Sequence, residues 1–514
     1  MYRSIPLTAS IAALAVIACS RSDRESRVTA PPTSTPTATP HPLPAKQHEK
    51  AASGPAWWGW LRHFTRPTRA AGVTPLDEVP DSTWFTNRNG VRPLSPESIR
   101  KGPGPHAAPR DGATWTVIGM KQTGVALGLR ARDEAGDTFF LKFDPKGHDE
   151  VETGADVVVQ RLLFAAGYNV PENDVVYLTR EGLSLASDAK QPLRDADIDA
   201  LLARAAREPD GRYRALASRF IPGKPIGGIA PLGTREGDPN DHIAHEDRRD
   251  MRGFYALAAW VNHTDMKLAN TAESWIPDGA DATRGHVVHY LLDFGKALGA
   301  MSRIEKRLDP GFAYFEEAQR MIVKQAATGA EPPWAGIGPF PELRGLGWIE
   351  SERFDPATWK CNYRWIPFEK ADRFDKLWGA RLVASFTPPQ IEAAVQAARY
   401  SEPRTAEYLT RVLVERQRKV LDRLFRGVAP LERFEVRGGA LCFVDLWKRH
   451  ALGGPEAIYR MADQVARATP DGSVCFERPP AEPVGEIRVE RAGHHIPTVA
   501  VHVAGSRVTA IERR

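Results

Sequence analysis

Two short stretches near the middle of the 514-residue chain decide its fold: His263-Thr-Asp-Met-Lys-Leu-Ala-Asn270 and Asp293-Phe-Gly295. The first follows residues 250–261, whose apolar side chains repeat at helical spacing, so it is predicted to be a loop after an amphipathic helix. The second follows the apolar segment Val287-Val-His-Tyr-Leu-Leu292, which has the character of a strand. A hairpin with its turn near residues 278–279 is predicted between the two stretches.

The polar residues of these stretches match the needs of phosphate transfer. Such a reaction uses metal ions and a cation to neutralise phosphates, and a carboxylate to orient or deprotonate the acceptor. Mg²⁺ prefers oxygen ligands and usually takes only one or two carboxylates from the protein. Asp265, Lys267, Asn270 and Asp293 supply groups of these kinds.

The preceding sequence predicts a small sheet followed by a helix. Three successive strands are predicted at Trp115-Thr-Val-Ile-Gly119, Val125-Ala-Leu-Gly-Leu-Arg-Ala-Arg132 and Thr138-Phe-Phe-Leu-Lys-Phe143. Apolar residues at helical spacing predict a helix over residues 150–166. The third strand carries Lys142 in an otherwise apolar run.

The order of these features resembles that of the protein kinases, in which H-x-D-x-K-x-x-N precedes a hairpin and then D-F-G. The resemblance implies that Asp265 accepts the proton of the acceptor hydroxyl and that Lys267 reaches the transferred phosphate. It also implies that Asn270 and Asp293 hold Mg²⁺ (or Mn²⁺), and that Lys142 holds the α- and β-phosphates of ATP.

In such a site the strand lysine needs an acidic partner on the following helix. Glu152 and Asp156 lie four residues apart and share one helix face, so either could pair with Lys142. Glu152 is longer and is slightly preferred for its reach, whereas Asp156 lies deeper in the apolar pattern. The sequence leaves this choice open.

Other features indicate an atypical branch of the family. Gly124 and Gly128 form the candidate glycine-rich loop, but their spacing differs from G-x-G-x-x-G. Phe220 is assigned to the adenine-binding hinge by its position alone. No A-P-E motif follows Asp293-Phe-Gly295. The chain resembles the group that contains secretory-pathway, spore-coat and persistence-toxin kinases.

The predicted fold class is α+β, a two-lobed protein-kinase-like fold with a β-rich N-lobe containing one helix, a helical C-lobe and a small C-terminal β-rich module. The predicted parts are a signal peptide (residues 1–19), a disordered Pro/Thr-rich tether (20–72), the N-lobe (73–215), the C-lobe (216–430) and the module (431–514). A helix near residues 454–468 is predicted to interrupt the strands of the module. Cys442 and Cys475, both in the module, are the preferred disulfide pair, which leaves Cys361 unpaired.

The N-terminus predicts export. Arg3 precedes a short apolar stretch that ends at Val16-Ile-Ala-Cys-Ser20, too short to span a membrane. Small residues before Cys19 resemble the bacterial lipobox, which implies a lipid anchor on Cys19. We therefore expect a protein of the bacterial cell envelope, on the periplasmic face, the outer membrane or the cell surface, that contacts the membrane through this lipid.

Three functions are compatible with these observations. The first is an ATP- and Mg²⁺-dependent kinase that phosphorylates a hydroxyl, with a protein serine or threonine favoured by Lys267. The second is a small-molecule phosphotransferase, and the third is a non-catalytic binding module, because ATP is scarce outside the cytoplasm. The net charge of +5 is modest for this length, with no dense Lys/Arg block, so no nucleic-acid partner is predicted.

Overall fold

The N-terminal part of the fold is a six-stranded sheet with strand order β4-β6-β3-β2-β1-β5. The computed structural model describes residues 38–46, 67–121, 127–188, 193–279, 281–491 and 496–514. Cys19, Gly124 and much of the predicted tether lie outside these ranges. The strands are β1 (Trp115–Met120), β2 (Leu127–Arg132), β3 (Thr138–Phe143), β4 (Asn173–Leu178), β5 (Leu183–Leu185) and β6 (Tyr213–Arg219).

This sheet is built from strands in which side chains alternate between a buried and a partly exposed face, as in β1 and β3. β6 lies between β3 and β4 and pairs antiparallel with both. The predicted lobe boundary at residue 215 falls inside β6 and is therefore wrong. The hydrogen-bonded register places all of β6 in the N-lobe, so the lobe ends after Arg219.

One long helix, α2 (Val151–Ala166), packs on the sheet and is buried on nearly all sides. Asp144 precedes it and its carboxylate accepts the backbone N–H groups of Glu152 and Thr153 at 2.7 and 3.0 Å, which satisfies two otherwise unpaired donors of the first turn. Gly167 follows the last residue of the helix with a positive φ of 132°, so the helix ends at residue 166, where it was predicted to end. Two shorter helices, α1 (Pro96–Lys101) and α3 (Asp195–Leu202), complete this part.

The C-lobe is helical, with a small three-stranded sheet that carries the hairpin between the two motifs. The helices over Arg249–Trp260 and Arg373–Ala384 cross closely. A Cβ atom at position 379 would overlap the carbonyl of Gly253, so this crossing requires glycine at position 379. The strands are β7 (Lys224–Gly227), β8 (Thr271–Asp278) and β9 (Asp281–Leu291). The helices are α4 (Arg249–Trp260), α5 (Ala300–Glu305), α6 (Phe315–Thr328), α7 (Ile366–Lys370), α8 (Arg373–Ala384), α9 (Pro388–Gln396) and α10 (Pro403–Leu424).

Segments before β1 pack on the helical part of the molecule. The Phe85 and Trp378 ring centroids are 5.2 Å apart, and Asn89 donates a hydrogen bond of 2.9 Å to the carbonyl of Ser385. Within the predicted tether, His41 exchanges backbone hydrogen bonds of 2.8 and 2.9 Å with Gly285. Residues 38–46 are thus part of the folded protein and not of a disordered tether, and the beginning of the predicted N-lobe is buried between α2 and the helical part, with the Asn89 N–H donating 3.1 Å to the carbonyl of Ala165.

The C-terminal module is β-rich, as predicted, and has its own hydrophobic core. The predicted helix over residues 454–468 is wrong, because two strands lie there and pair around a turn at Ala462, whose φ is +51°. Buried Tyr459 and Met461 alternate with exposed Arg460, a two-residue period that fits a strand. The elements are β10 (Leu431–Arg437), β11 (Ala440–Asp445), α11 (Leu446–Arg449), β12 (Ile458–Met461), β13 (Gln464–Arg467), β14 (Ser473–Phe476), β15 (Val484–Glu490), β16 (Val499–Ala504) and β17 (Arg507–Arg513).

The predicted disulfide between Cys442 and Cys475 is confirmed. The two residues are direct partners on the antiparallel strands β11 and β14, with 4.1 Å between their Cα atoms. Cys361 is a buried free thiol in the C-lobe, and burial raises its pKa to about 12. Within the described ranges, no helix is long and apolar enough to cross a membrane.

Removal of the disulfide is expected to destabilise the module. Because the bond closes a loop with a sequence separation of 33, its loss should cost about 2–4 kcal/mol of unfolding free energy. Urea denaturation should show a lower midpoint for Cys442→Ser/Cys475→Ser than for the oxidised wild type. Reductant should lower the wild-type midpoint to that of the double variant and leave the double variant unchanged. A wild-type midpoint that does not respond to reductant would contradict the prediction.

Candidate active site

The two motifs and the strand lysine meet at one cavity of about 150 Å³. The hairpin β8–β9 connects the motifs, and the backbone N–H of Leu292 donates 2.9 Å to the carbonyl of Asn270, so the two loops lie side by side. Seven of the predicted residues line this cavity. They are Lys142, Glu152, Asp156, Asp265, Lys267, Asn270 and Asp293.

Lys142 is held between two carboxylates. Its Nζ lies 3.3 Å from Oδ2 of Asp156 and 3.0 Å from Oδ1 of Asp293. Burial alone would lower the pKa of Lys142, but the charges of Asp156 and Asp293 outweigh it and raise that pKa, so the lysine is a permanent cation. Lys142 therefore links the N-lobe helix to the second motif.

The slight preference for Glu152 as the partner of Lys142 is wrong. Glu152 instead pairs with Lys296, whose Nζ is 2.6 Å from its carboxylate. Glu152 lies in the first turn of α2, whereas Asp156 is one turn further along and fully buried next to the strand lysine. The deeper position of Asp156 in the apolar pattern therefore predicts the partner of Lys142 better than the greater length of the Glu152 side chain.

The two acids around Lys142 have opposite pKa shifts. Burial raises the pKa of Asp156, while the charge of Lys142 lowers the pKa of Asp293 well below its usual value. Asp293 also adopts a left-handed backbone conformation, with φ +58°, which non-glycine residues rarely adopt. Strain of this kind is common where a side chain is aimed at a ligand, and Asp293 is the ionised carboxylate of the second motif.

Asp265 is anchored by its own loop. Both of its carboxylate oxygens lie 2.9 Å from Nζ of Lys267. The Asn270 amide donates to the Asp265 carbonyl at 2.7 Å and to its Oδ2 at 3.1 Å, which closes the loop around the short 3₁₀ turn Leu268–Asn270. The amide nitrogen of Asn270 is thereby engaged, and its Oδ1 is the atom suited to a cation.

His263 supports this loop from inside the protein. Its ring is buried and packs 5.6 Å from the ring of Phe294 and 6.2 Å from that of Phe254. Burial lowers the pKa of His263 to about 4, so the imidazole is neutral at physiological pH. The predicted structural role, packing beneath the loop that carries Asp265, is confirmed.

Two lysines of the cavity were not predicted as site residues. Lys121 directly follows β1 and lines the cavity. Burial lowers the pKa of its side chain. Lys296 lies directly after Asp293-Phe-Gly295. Their adjacency to the candidate glycine-rich loop and to the second motif is a signal that could have found both. With Lys142 and Lys267 they give the cavity four lysines.

Gly128 and Phe220, the other described residues predicted for the site, are not among the residues that line the cavity. Gly128 is the direct cross-strand partner of Lys142, and a Cβ there would approach the Leu141 carbonyl to 3.0 Å. Phe220 does not line the cavity; its ring stacks on Phe140 at 4.4 Å and is 38% exposed. A role for Phe220 at an adenine-binding hinge stays a prediction.

The residues present fit a metal-bound triphosphate. Asp293 and Asn270 offer oxygen atoms, the ligand type that Mg²⁺ prefers, and the lysines, which balance the four carboxylates of the cavity, can donate to phosphate oxygens. Among the residues that the structure describes, no group of three or more His, Cys, Asp or Glu side chains is placed to hold a metal.

No protein-family model matches the chain, and no curated protein sequence matches it significantly. Among solved structures, the chain is similar to the crystal structure of a Helicobacter pylori proinflammatory kinase, CtkA, at 12% identity and a TM-score of 0.33, over 62% of this chain and 97% of that chain. It is also similar to the crystal structure of the Golgi casein kinase with Mn/ADP bound, at 10% identity and a TM-score of 0.31, over 61% and 72% of the two chains. At these scores the kinase-like assignment depends on the side-chain geometry and not on the two similarities.

Proposed function

We propose that the protein is an atypical kinase that transfers the γ-phosphate of ATP to the hydroxyl of a protein serine or threonine. The observation that supports this most is the meeting of Lys142, Asp156 and Asp293 with Asp265, Lys267 and Asn270 around one cavity. These residues come from three separate parts of the chain. Their convergence with the charges that phosphate transfer needs is hard to explain by packing alone.

Each side chain has a task in this proposal. Asp265 orients the acceptor hydroxyl and takes its proton, and Lys267, now its counter-ion, turns to the phosphate when an acceptor is present. Lys142 holds phosphate oxygens while Asp156 keeps it in place. Asp293 and Asn270 would hold Mg²⁺ or Mn²⁺, which when bound neutralises the phosphates.

Two lysines neutralise carboxylates of the proposed site. Lys142 neutralises Asp293, and Lys267 neutralises Asp265, in contacts of 3.0 and 2.9 Å. Both contacts join a residue proposed to bind phosphate with a carboxylate proposed to bind metal or acceptor. The same side chains can therefore exchange these partners for a ligand without leaving a buried charge unpaired.

Two other functions compete with this proposal. A small-molecule phosphotransferase would share Asp265, Asn270 and Asp293, but Lys267 favours a protein acceptor by its resemblance to serine/threonine kinases. A non-catalytic binding module is favoured by the proposed location outside the cytoplasm, where ATP is scarce. The complete set of polar side chains in the cavity favours activity over this alternative.

We also propose that the protein is held at the bacterial cell envelope by lipid on Cys19, with the Pro/Thr-rich stretch as a spacer. The disulfide between Cys442 and Cys475 supports an exported protein, because such bonds persist in oxidising compartments. Metabolic labelling with a fatty-acid probe would test the anchor: wild type should be labelled and Cys19→Ser should not.

A thermal-shift titration with Mg²⁺-ATP tests the kinase proposal most directly. A ligand at about 100 times its dissociation constant adds about 2.7 kcal/mol to stability, so the melting temperature should rise by roughly 2–8 °C. Mg²⁺ alone and Mg²⁺-AMP serve as controls and should shift it less. No shift with Mg²⁺-ATP would contradict both kinase and small-molecule phosphotransferase functions.

A further inference from the structure

A single exposed aromatic residue lies beside the proposed catalytic loop. Tyr363 is 48% exposed, whereas Cys361, Asn362 and Trp365 around it are buried. Tyrosine is enriched at interfaces, because its ring offers a large apolar area while its hydroxyl can stay hydrated. Nothing in the proposed chemistry of the cavity uses this residue.

The backbone that carries Tyr363 is fixed on several sides. The N–H of Asn362 donates 2.8 Å to the carbonyl of Thr264, directly before Asp265, and the carbonyl of Asn362 accepts 2.7 Å from Phe315. The Cys361 thiol donates 2.7 Å to the carbonyl of Tyr363 itself. The ring is therefore presented from a rigid support that is tied to the catalytic loop, and its position follows that loop.

Tyr363 is also close to the reacting groups. Nζ of Lys267 lies 5.8 Å from the centre of its ring and 2.9 Å from the Asp265 carboxylate. An extended peptide advances about 3.4 Å per residue, so a side chain within three residues of an acceptor at Asp265 reaches this ring. The ring thus lies beside the two side chains proposed to act on the acceptor, Asp265 and Lys267.

The charges around Tyr363 are already paired within the protein. Lys360 lies 2.7 Å from Glu317, and Arg364 lies 3.0 Å from Glu316 and 2.8 Å from Glu369. Lys267 is likewise paired with Asp265. These pairs leave little net charge to select a charged residue, so the contact that Tyr363 offers is mainly that of an apolar ring.

We infer that the ring of Tyr363 binds the acceptor polypeptide. It contacts an aromatic or large aliphatic side chain within three residues of the phosphorylated serine or threonine. The inference rests on the proposed kinase function and defines its substrate class as an extended peptide segment with an apolar flank. Because the surrounding charges are paired, recognition of the flank depends little on ionic strength.

The test uses the purified wild-type protein, Mg²⁺-ATP and a positional-scanning library of peptides that each contain one serine or threonine. Wild type should prefer aromatic or aliphatic residues over charged ones at one or more positions within three of the acceptor. For the best such peptide, Tyr363→Ala should raise the KM about tenfold, with kcat and the KM for ATP changed less than about twofold. Tyr363→Phe should keep the wild-type KM, as should Val465→Ala, a somewhat more exposed apolar site in the C-terminal module.

Each negative result contradicts a different statement: the kinase function, the polypeptide acceptor or the role of Tyr363. No Mg²⁺-ATP thermal shift overturns the kinase function itself. A shift with phosphorylation of no peptide in the library overturns the inference about a polypeptide acceptor while leaving nucleotide binding intact. Phosphorylation with a preference for charged flanks, or a KM that is the same in Tyr363→Ala, overturns the assignment to Tyr363. A KM that rises equally in Tyr363→Phe would mean recognition by the hydroxyl and not by the ring.

Discussion

Asp265→Asn is expected to lower kcat for phosphate transfer by about 10²- to 10⁴-fold, the usual contribution of a positioned general base. The asparagine keeps the size of the side chain and can still accept from the Asn270 amide, which now lies 3.1 Å from Oδ2. It cannot take the acceptor proton, and it loses the charge that holds Lys267. The loss should therefore appear in the chemical step.

Nucleotide binding should survive this substitution, because Asp265 is not among the residues proposed to hold metal or phosphate. The Mg²⁺-ATP thermal shift of Asp265→Asn should equal that of wild type, whereas incorporation of labelled phosphate into peptide should fall. Asp309→Asn is the matched control: Asp309 is a buried C-lobe carboxylate paired with Arg307 at 2.6 Å and does not line the cavity. Full transfer activity in Asp265→Asn would refute the assigned role.

The sequence located most of the candidate site because its residues lie in short, ordered segments. Asp265, Lys267 and Asn270 fall within one loop, so their spacing alone determines that they meet. Asp293 follows an apolar strand that pairs with β8, and the hairpin necessarily returns it to that loop. Local order along the chain is in this case sufficient to predict a three-dimensional neighbourhood.

The partner of Lys142 could not be chosen in the same way. Glu152 and Asp156 face the same direction from α2, and the choice depends on Lys296, which is distant in sequence. Once Lys296 engages Glu152, Asp156 is the acid left for Lys142. The pairing of Lys142 with Asp156 therefore depends on contacts between separate segments of the chain. Helical periodicity alone cannot predict it.

The errors at the boundaries have a similar origin. The predicted lobe boundary falls within β6 because the run of buried residues in β6 does not show which sheet it joins. Its partners, β3 and β4, are not adjacent to it in sequence. The predicted helix at 454–468 became two strands because β12 also pairs with β15, some thirty residues later. In both places pairing across the sheet overrides the local pattern.

Asp293→Ala is expected to weaken binding of Mg²⁺-ATP by about 30- to 150-fold, since loss of one charge-assisted contact costs roughly 2–3 kcal/mol. The Asp293 carboxylate is ionised under the influence of Lys142 and is partly exposed towards the cavity, as a metal ligand must be. Lys142 keeps Asp156 as its partner in the variant, so the fold should persist. The thermal shift at a fixed Mg²⁺-ATP concentration should shrink accordingly, and isothermal titration calorimetry gives the dissociation constant.

Removal of the metal shows whether Asp293 acts through it. In EDTA the carboxylate has no cation to hold and repels the phosphates, so Asp293→Ala should bind metal-free ATP as well as wild type does, or better. The difference between the two proteins should thus vanish or change sign when Mg²⁺ is withdrawn. An equal loss with and without Mg²⁺ would mean that Asp293 serves only to position Lys142, which it contacts at 3.0 Å, and that the metal ligand must be sought among the other acids of the cavity.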